Sequence, residues 1–175
     1  IASGSPQAAV QQLHEKTELI RALHDALQMV EHEGTELTLA KACLGVAKVN
    51  HLLRAAGTEL HEEKEALRAF DAVQRATLDR LFPGLTEESH MQATLGLQVG
   101  GLSLRKAEQV ALPAALASMI MAEPKVREFQ ELMTKAGLMG ADDIIDTFMT
   151  DLNHTRDALW DTLDEQVATQ LKEVT

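Results

Sequence analysis

Apolar residues recur at intervals of three and four along most of this chain, which is the spacing that places side chains on one face of an α-helix. The first such segment begins at Ser5-Pro6, a pair suited to the N-cap and first turn of a helix, and continues to Gly34. Its apolar stripe consists of Val10, Leu13, Ile20, Leu23, Leu27 and Val30. The pattern therefore predicts one long amphipathic helix at the start of the chain.

Two further helices are predicted before residue 83. Thr35 or Thr38 can cap a second helix that ends at Gly57, and the wide apolar face of this helix predicts a central position in the fold. Its apolar residues are Leu39, Cys43, Leu44, Val46, Val49, Leu52 and Leu53. A third helix is predicted over residues 62–82, where Pro83-Gly84 stops it.

The pattern becomes less regular after residue 85. A short helix to about Leu95 is predicted, followed by a tight structural turn at Gly100-Gly101. Pro113 lies inside an otherwise helical segment, residues 105–121, and lacks the backbone N–H that a helix interior uses. We therefore expect two shorter helices that meet at a kink.

The last part of the chain contains two more helical patterns. Pro124 is predicted to start a helix that ends near Gly137, and a final helix is predicted from Gly140 toward Lys172. The apolar stripe of the final helix consists of Ile145, Phe148, Leu152, Leu159, Leu163, Val167 and Leu171.

The composition agrees with a helical fold. Tyrosine is absent and aromatic residues make up 3%, while the hydrophobic fraction of 45% is enough for a core. The sequence predicts an all-α protein, an irregular helical bundle with long amphipathic N- and C-terminal helices. We expect three segments: the N-terminal helix in residues 1–34, a helical core in residues 35–137, and an acidic C-terminal helix in residues 138–175.

Charge is distributed unevenly along the chain. Residues 41–138 contain 12 basic and 12 acidic side chains, whereas residues 1–40 contain 2 and 6, and residues 139–175 contain 2 and 9. A formal net charge of -11 disfavours nucleic acid as a partner, because phosphates attract basic surfaces. We expect instead a protein partner or a homo-oligomer, formed through the terminal helices, and no membrane span, because no apolar run approaches about 20 residues.

The single cysteine, Cys43, excludes an internal disulfide. Its apolar helical neighbours predict a small buried core residue. The chain begins with Ile1, and residues 1–5 carry neither a basic charge nor a signal-peptide apolar run. We expect an intracellular protein, with or without the removal of a targeting segment.

Two pairs of residues have the spacing of metal ligands. Glu87 and His90, and likewise Asp151 and His154, are three residues apart and so share a helical face, as in di-iron bundles. Such bundles also require further inward-facing glutamates, which the sequence does not show. We therefore expect no resident cofactor, and these four residues form the only metal set to test.

Gly140-Ala-Asp-Asp143 is similar to the aromatic-x-Asp-Asp signature of polymerases, whose carboxylates hold two metal ions. Gly140 occupies the aromatic position, however, and the flanking sequence is helical. The sequence therefore predicts that Asp142 and Asp143 stabilise the N-terminus of the final helix.

The segment 92–118, QATLGLQVGGLSLRKAEQVALPAALAS, combines a double glycine, Leu-x-Leu-Arg and Ala-Leu-Pro-Ala. Together with Lys41-Ala-Cys-Leu-Gly45, His51-Leu-Leu-Arg54 and Phe70-Asp71 upstream, it resembles the region carboxy-terminal to the polymerase core in reverse transcriptases of non-LTR retrotransposons. The resemblance covers roughly Lys41 to Pro124.

This resemblance implies helical material that supports the thumb of the polymerase. It also implies phosphate contacts at Arg54, Arg105 and Lys106. The catalytic carboxylates of the family lie outside the matched region, so no polymerase activity is expected. The resulting prediction is a non-catalytic protein-interaction or structural module derived from a retroelement fragment. The alternatives are a nucleic-acid-binding accessory piece of a reverse transcriptase and a small helical metal-binding protein.

Overall fold

The structure, a computed structural model, describes residues 6–138 and 140–163. All regular secondary structure in this part of the chain is helical, which confirms the predicted all-α class. Seven α-helices are present among these residues, and two short 3-10 turns, Val46–Lys48 and Leu97–Val99, separate some of them. The helices are α1 (Pro6–Leu27), α2 (Glu33–Leu44), α3 (Asn50–Glu62), α4 (Lys64–Leu81), α5 (Glu87–Thr94), α6 (Ala107–Lys135) and α7 (Ala141–Thr162).

The chain divides into two compact units, residues 1–111 and residues 112–175. Helix α6 begins in the first unit and continues into the second. The N-terminal helix, which the sequence suggested as a separate segment, lies within the first unit, where it packs against α2, α3 and α4.

Four helices, α1 to α4, form the core of the first unit. Its fully buried side chains come from all parts of this bundle and include Leu13, Val49, Leu53, Leu60, Leu67 and Phe70. Along α1 the buried positions are Ala9, Leu13, Thr17, Ile20 and His24. Leu23, which the predicted stripe placed inside, is 42% exposed, so the buried face is rotated toward Thr17 and His24.

Polar side chains are buried where α1, α2 and α4 meet. The hydroxyl of Thr77 lies 2.8 Å from Nδ1 of His24, and burial lowers the pKa of this imidazole. Glu36, also buried, forms an ion pair with Arg80 of α4. Because α1, α2 and α4 each contribute to these contacts, the polar groups fix the mutual positions of three helices.

The helix boundaries differ from the prediction near residue 33. Helix α1 ends at Leu27, before the predicted Gly34, and α2 starts ahead of both threonines proposed as caps. The cap is His32, because its Nδ1 accepts a hydrogen bond from the backbone N–H of Thr35 at 3.1 Å.

The predicted second helix is interrupted. Gly45 has an extended conformation, with ψ at -169°, and ends α2, so that α3 starts only at Asn50. Gly57 does not end a helix but is buried inside α3, one residue after a kink at Ala56. The predicted third helix is present as α4.

The sequence predicted that shorter helices meet at Pro113 and that a new helix starts at Pro124. Both prolines instead lie inside the continuous helix α6. They are eleven residues apart, so they share a helical face. Both are exposed, as are Gln109 and Ile120, whose carbonyl groups lose their usual donors. Water can therefore satisfy these carbonyl groups, which explains why the helix continues.

The second unit is a helical hairpin formed by the later part of α6 and by α7. Contacts join Met119 to Thr155 and Gln130 to Asp142, so residue numbers rise along one helix as they fall along the other. The helices are therefore antiparallel. Asp142 and Asp143 occupy the first turn of α7, as predicted, whereas Val167 and Leu171 lie outside the described residues.

Cys43 is exposed, and the prediction of a buried core residue is wrong. On α2 the buried positions are Glu36, Ala40 and Leu44, so Cys43 falls outside the face that packs on the core.

We expect Cys43 to react with a thiol reagent in the folded protein at a rate within about tenfold of the rate in denaturant, because an exposed thiol is accessible to the reagent in both states. Absorbance of the released chromophore measures both rates, and the C43S variant provides the blank. A folded protein that reacts a hundred times more slowly would contradict the exposed position.

None of the helices in residues 6–138 and 140–163 has both the length and the apolar character needed to cross a membrane.

Candidate functional site

Several residues singled out in the sequence meet where α4, α5 and the start of α6 come together in the first unit. At this junction the carboxylate of Asp71 on α4 accepts hydrogen bonds from the backbone N–H groups of Ala107, at 2.6 Å, and Glu108, at 3.1 Å. These two groups belong to the first turn of α6, where no intrahelical acceptor exists. Asp71 therefore caps α6 across 36 residues of sequence.

Burial raises the pKa of the Asp71 carboxyl group to about 6, against an ordinary value of 3.8. The two backbone hydrogen bonds act in the opposite direction, because they favour the charged form. Asp71 therefore changes its charge near neutral pH while it holds the start of a helix.

The double glycine forms the turn that the sequence predicts. Gly100 has φ at +79°, in the left-handed region that glycine adopts without strain. Gly101 packs directly on the carbonyl group of Leu95, which leaves no space for a side chain. After the turn, the backbone N–H groups of Leu102 and Leu104 bond to the carbonyl of Ala93, so the segment runs back along the end of α5.

Glu87 and His90, the first predicted metal pair, are both held by residues of α4. Glu87 pairs with Arg75, and this hydrogen bond lowers the pKa of the carboxyl group. His90 is buried, and its Nε2 lies 2.7 Å from Oδ1 of Asp79, outside the angular range of a hydrogen bond. The ion pair between Glu87 and Arg75 therefore fastens α5 to α4, and His90 lies against α4.

Asp151 and His154, the second predicted metal pair, are exposed on α7 in the second unit. Among residues 6–138 and 140–163, no group of three or more histidine, cysteine, aspartate or glutamate side chains is arranged to hold a metal ion. The structure therefore supplies no third ligand to either pair within this part of the chain.

The three predicted phosphate contacts lie in the first unit. Arg54 is exposed on α3, whereas Arg105 and Lys106 immediately precede α6. Lys106 borders a cavity of about 50 Å³ beside Asp71 and His90. Arg105 borders that cavity and also a larger one of about 350 Å³. Arg105 and Lys106, which are adjacent in sequence, thus both lie at the junction.

An apolar groove of about 580 Å³ opens on another side of the junction. Its apolar lining consists of Leu78, Phe82, Leu85, Ala93 and Leu102, and its polar lining of Glu88, Ser89 and Gln92. Next to the groove, the turn before Gly100 exposes Leu97 (65%) and Val99 (64%) to solvent. Met91 and Leu95 of the same stretch are exposed as well.

The sequence did not reveal this apolar groove or the role of Asp71. The groove residues come from a helix end, a short helix and a turn, which share no single periodicity. The cap at Asp71 joins segments far apart in sequence. The sequence did contain one weak signal for the role of Asp71. This residue directly follows Phe70, which is buried, so it lies close to the core face of α4.

Comparisons with protein-family models, with curated proteins and with solved structures returned no match.

Proposed function

We propose that this protein is a non-catalytic protein-interaction module, and that the apolar groove binds apolar side chains of a partner protein. The observation that carries this proposal is the groove itself, together with the exposed Leu97 and Val99 in the turn that precedes its lining residue Gly100, here called the rim. Concave apolar surfaces with a polar border are typical of sites that bind other molecules.

Energetics support this use of the surface. Each Å² of apolar surface removed from water contributes roughly 25 cal/mol. A partner that covers the exposed rim therefore stabilises the complex, whereas the exposed rim contributes no such free energy in the free protein. Ser89 and Gln92 supply hydrogen-bonding groups beside the apolar lining. They can orient a partner segment whose apolar side chains enter the groove.

The scaffold under the groove is well fixed. Gln92 donates a hydrogen bond from Nε2 to the carbonyl of Val99 at 3.1 Å, which ties α5 to the turn that carries the rim. The pairing of Glu87 with Arg75 ties α5 to α4. A fixed surface loses little conformational entropy on binding, which favours affinity.

The second unit offers a further contact surface for a protein partner. Met119 and Gln130 of α6, eleven residues apart, contact α7. Met121 and Leu132 are each two residues further along, so they lie about 200° around the helix and away from α7. Both are exposed, and they support the expectation that the C-terminal helical region contributes to partner contacts.

The origin of the module in a retroelement fragment is part of this proposal and rests on the resemblance of residues 41–124. The alternative function, a nucleic-acid-binding accessory, rests on Arg54, Arg105 and Lys106. The two functions differ in their response to salt, because phosphate binding releases counterions and weakens steeply as salt rises.

The proposed groove can be tested with peptides selected from a random 12-residue display library against the full chain. We expect the selected peptides to contain apolar anchors and to bind the V99E variant at least tenfold more weakly, because the new charge would have to be desolvated. Isothermal titration at two salt concentrations gives the dissociation constants.

The L19E variant serves as the control, because Leu19 is also an exposed apolar residue but lies on α1, which contributes no residue to the groove lining, whereas Val99 adjoins the lining residue Gly100. It should bind the peptides like the wild type. If no peptide is enriched, or if L19E weakens binding as much as V99E, the groove is not the binding surface. Steeply salt-dependent binding of single-stranded RNA, lost in an R105A/K106A variant, would favour the alternative function.

A further inference from the structure

The larger cavity at the junction, of about 350 Å³, combines positive charge with an absence of acidic lining residues. Lys41 of α2 and Arg105, just before α6, both border it. None of the residues that line this cavity is an aspartate or a glutamate. In a chain with a net charge of -11, such a cavity selects for negative charge.

Both cations are unpaired in the part of the chain that the structure describes. Within residues 6–138 and 140–163, no ion pair joins the side chain of Lys41 or of Arg105 to a carboxylate. By contrast, Arg68, Arg75 and Arg80 of α4 each pair with a glutamate. The cavity therefore keeps two positive groups available for a ligand.

A residue of the cavity lining also carries a buried hydrogen-bond donor. Gln74 borders this cavity, and its Nε2 atom is buried with no hydrogen-bond partner among the described residues. A buried amide N–H without an acceptor is costly and uncommon in native proteins. The side chains of Asn50 and Ser103 also border the cavity and add hydrogen-bonding groups.

The rest of the lining is apolar. It consists of Ala42, Val46, Ala47, Leu104 and Val110, together with Gly45. A bare inorganic ion would leave this surface uncovered, whereas an organic ligand with an apolar body would cover it. The volume is within the range of about 300–1,000 Å³ that small-molecule sites occupy.

We propose that this cavity binds a small organic oxyanion, a phosphate monoester or a carboxylate. Its charged oxygens bind Lys41 and Arg105 and accept a hydrogen bond from Nε2 of Gln74, while its apolar body packs on Val46, Leu104 and Val110. Guanidinium and ammonium groups both form charge-assisted hydrogen bonds to such oxygens. This site is separate from the lining of the apolar groove and does not depend on it.

The proposal can be tested by titrating the full chain with phenyl phosphate, benzoate and inorganic phosphate at low ionic strength, followed by amide chemical shifts. We expect saturable shifts centred on residues 41–50 and 103–110 with phenyl phosphate or benzoate. Inorganic phosphate should bind at least tenfold more weakly than phenyl phosphate, because it lacks an apolar body. The preference between phenyl phosphate and benzoate shows whether the oxyanion is a phosphate or a carboxylate.

Variants assign the contacts. The K41Q and R105Q variants should each weaken binding about tenfold or more, because each removes one positive group. The Q74L variant should also weaken binding, since it removes the buried donor at similar volume. The control is K48Q, because Lys48 is an exposed lysine on the neighbouring 3-10 turn that does not line the cavity.

Three results would overturn the proposal. The first is an absence of saturable shifts with all three probes. The second is an equal loss of binding in K48Q and R105Q, which would indicate a general charge effect. The third is binding of single-stranded RNA to the same residues while phenyl phosphate does not bind. If Q74L unfolds, K41Q and R105Q still decide the question, because both alter side chains outside the buried core.

Discussion

Replacing Gly101 with alanine is expected to destabilise the protein by about 3 kcal/mol, the upper part of the range for overpacked sites. A Cβ atom at Gly101 would overlap the carbonyl group of Leu95 and lie 2.7 Å from the carbonyl oxygen of Gln92. Neither carbonyl can move freely. The first accepts a hydrogen bond from Ser103 at 2.7 Å, and the second accepts one from Leu95 at 3.1 Å.

Alanine variants of Gly100 and Gly96 separate two causes of destabilisation, backbone strain and close packing. G100A should cost about 1 kcal/mol, because φ at +79° strains a residue with a Cβ atom. G96A should change stability by less than about 0.5 kcal/mol, because a Cβ atom there would meet no other atom within 4 Å. Guanidinium unfolding followed by circular dichroism gives the three free energies. Equal values for all three variants would show that close packing at Gly101 does not limit stability.

A second large effect is expected at Asp71, where the D71N variant should change how stability depends on pH. The folded-state pKa of about 6 exceeds the ordinary value of 3.8, so between these values the folded protein binds more protons than the unfolded chain. The contribution of Asp71 to the free energy of unfolding therefore falls as pH rises through this interval. The difference of about two pKa units corresponds to about 3 kcal/mol.

The D71N variant cannot titrate at this position. Its stability relative to wild type should therefore improve by about 2 kcal/mol between pH 4 and pH 6.5, the part of the full change that falls within this window, whatever the difference at the starting pH. Denaturant unfolding at half-unit pH steps measures this change. The control is E31Q, which alters an exposed carboxylate between α1 and α2. A constant difference between D71N and wild type across this range would show that Asp71 titrates normally in the folded protein.

The sequence predicted those elements of the fold that depend on local periodicity. Helix α4 has the expected bounds within two residues at each end, because its apolar spacing and the Pro83-Gly84 stop both act locally. The turn at Gly100 was predictable for the same reason, since backbone with positive φ selects glycine.

Other features depend on the environment that the folded chain creates. Pro113 was expected to break a helix, but the cost of proline depends on whether water reaches the freed carbonyl group. Cys43 was expected inside, but its exposure depends on which face of α2 meets the core. The cavity that borders Lys41 and Arg105 joins residues 64 positions apart, a relation that helical spacing does not encode.

The cap that Asp71 provides has a consequence for the order in which this protein folds. The first turn of α6 gains its acceptor from α4, so the residue at which α6 begins is set by tertiary contact rather than by the local sequence. A nascent chain must close a loop of about 36 residues before that acceptor is available, and loop closure carries an entropic cost. A synthetic peptide with the sequence of α6 therefore lacks the acceptor that defines its own N-terminus, and its first turn frays where the intact protein holds it.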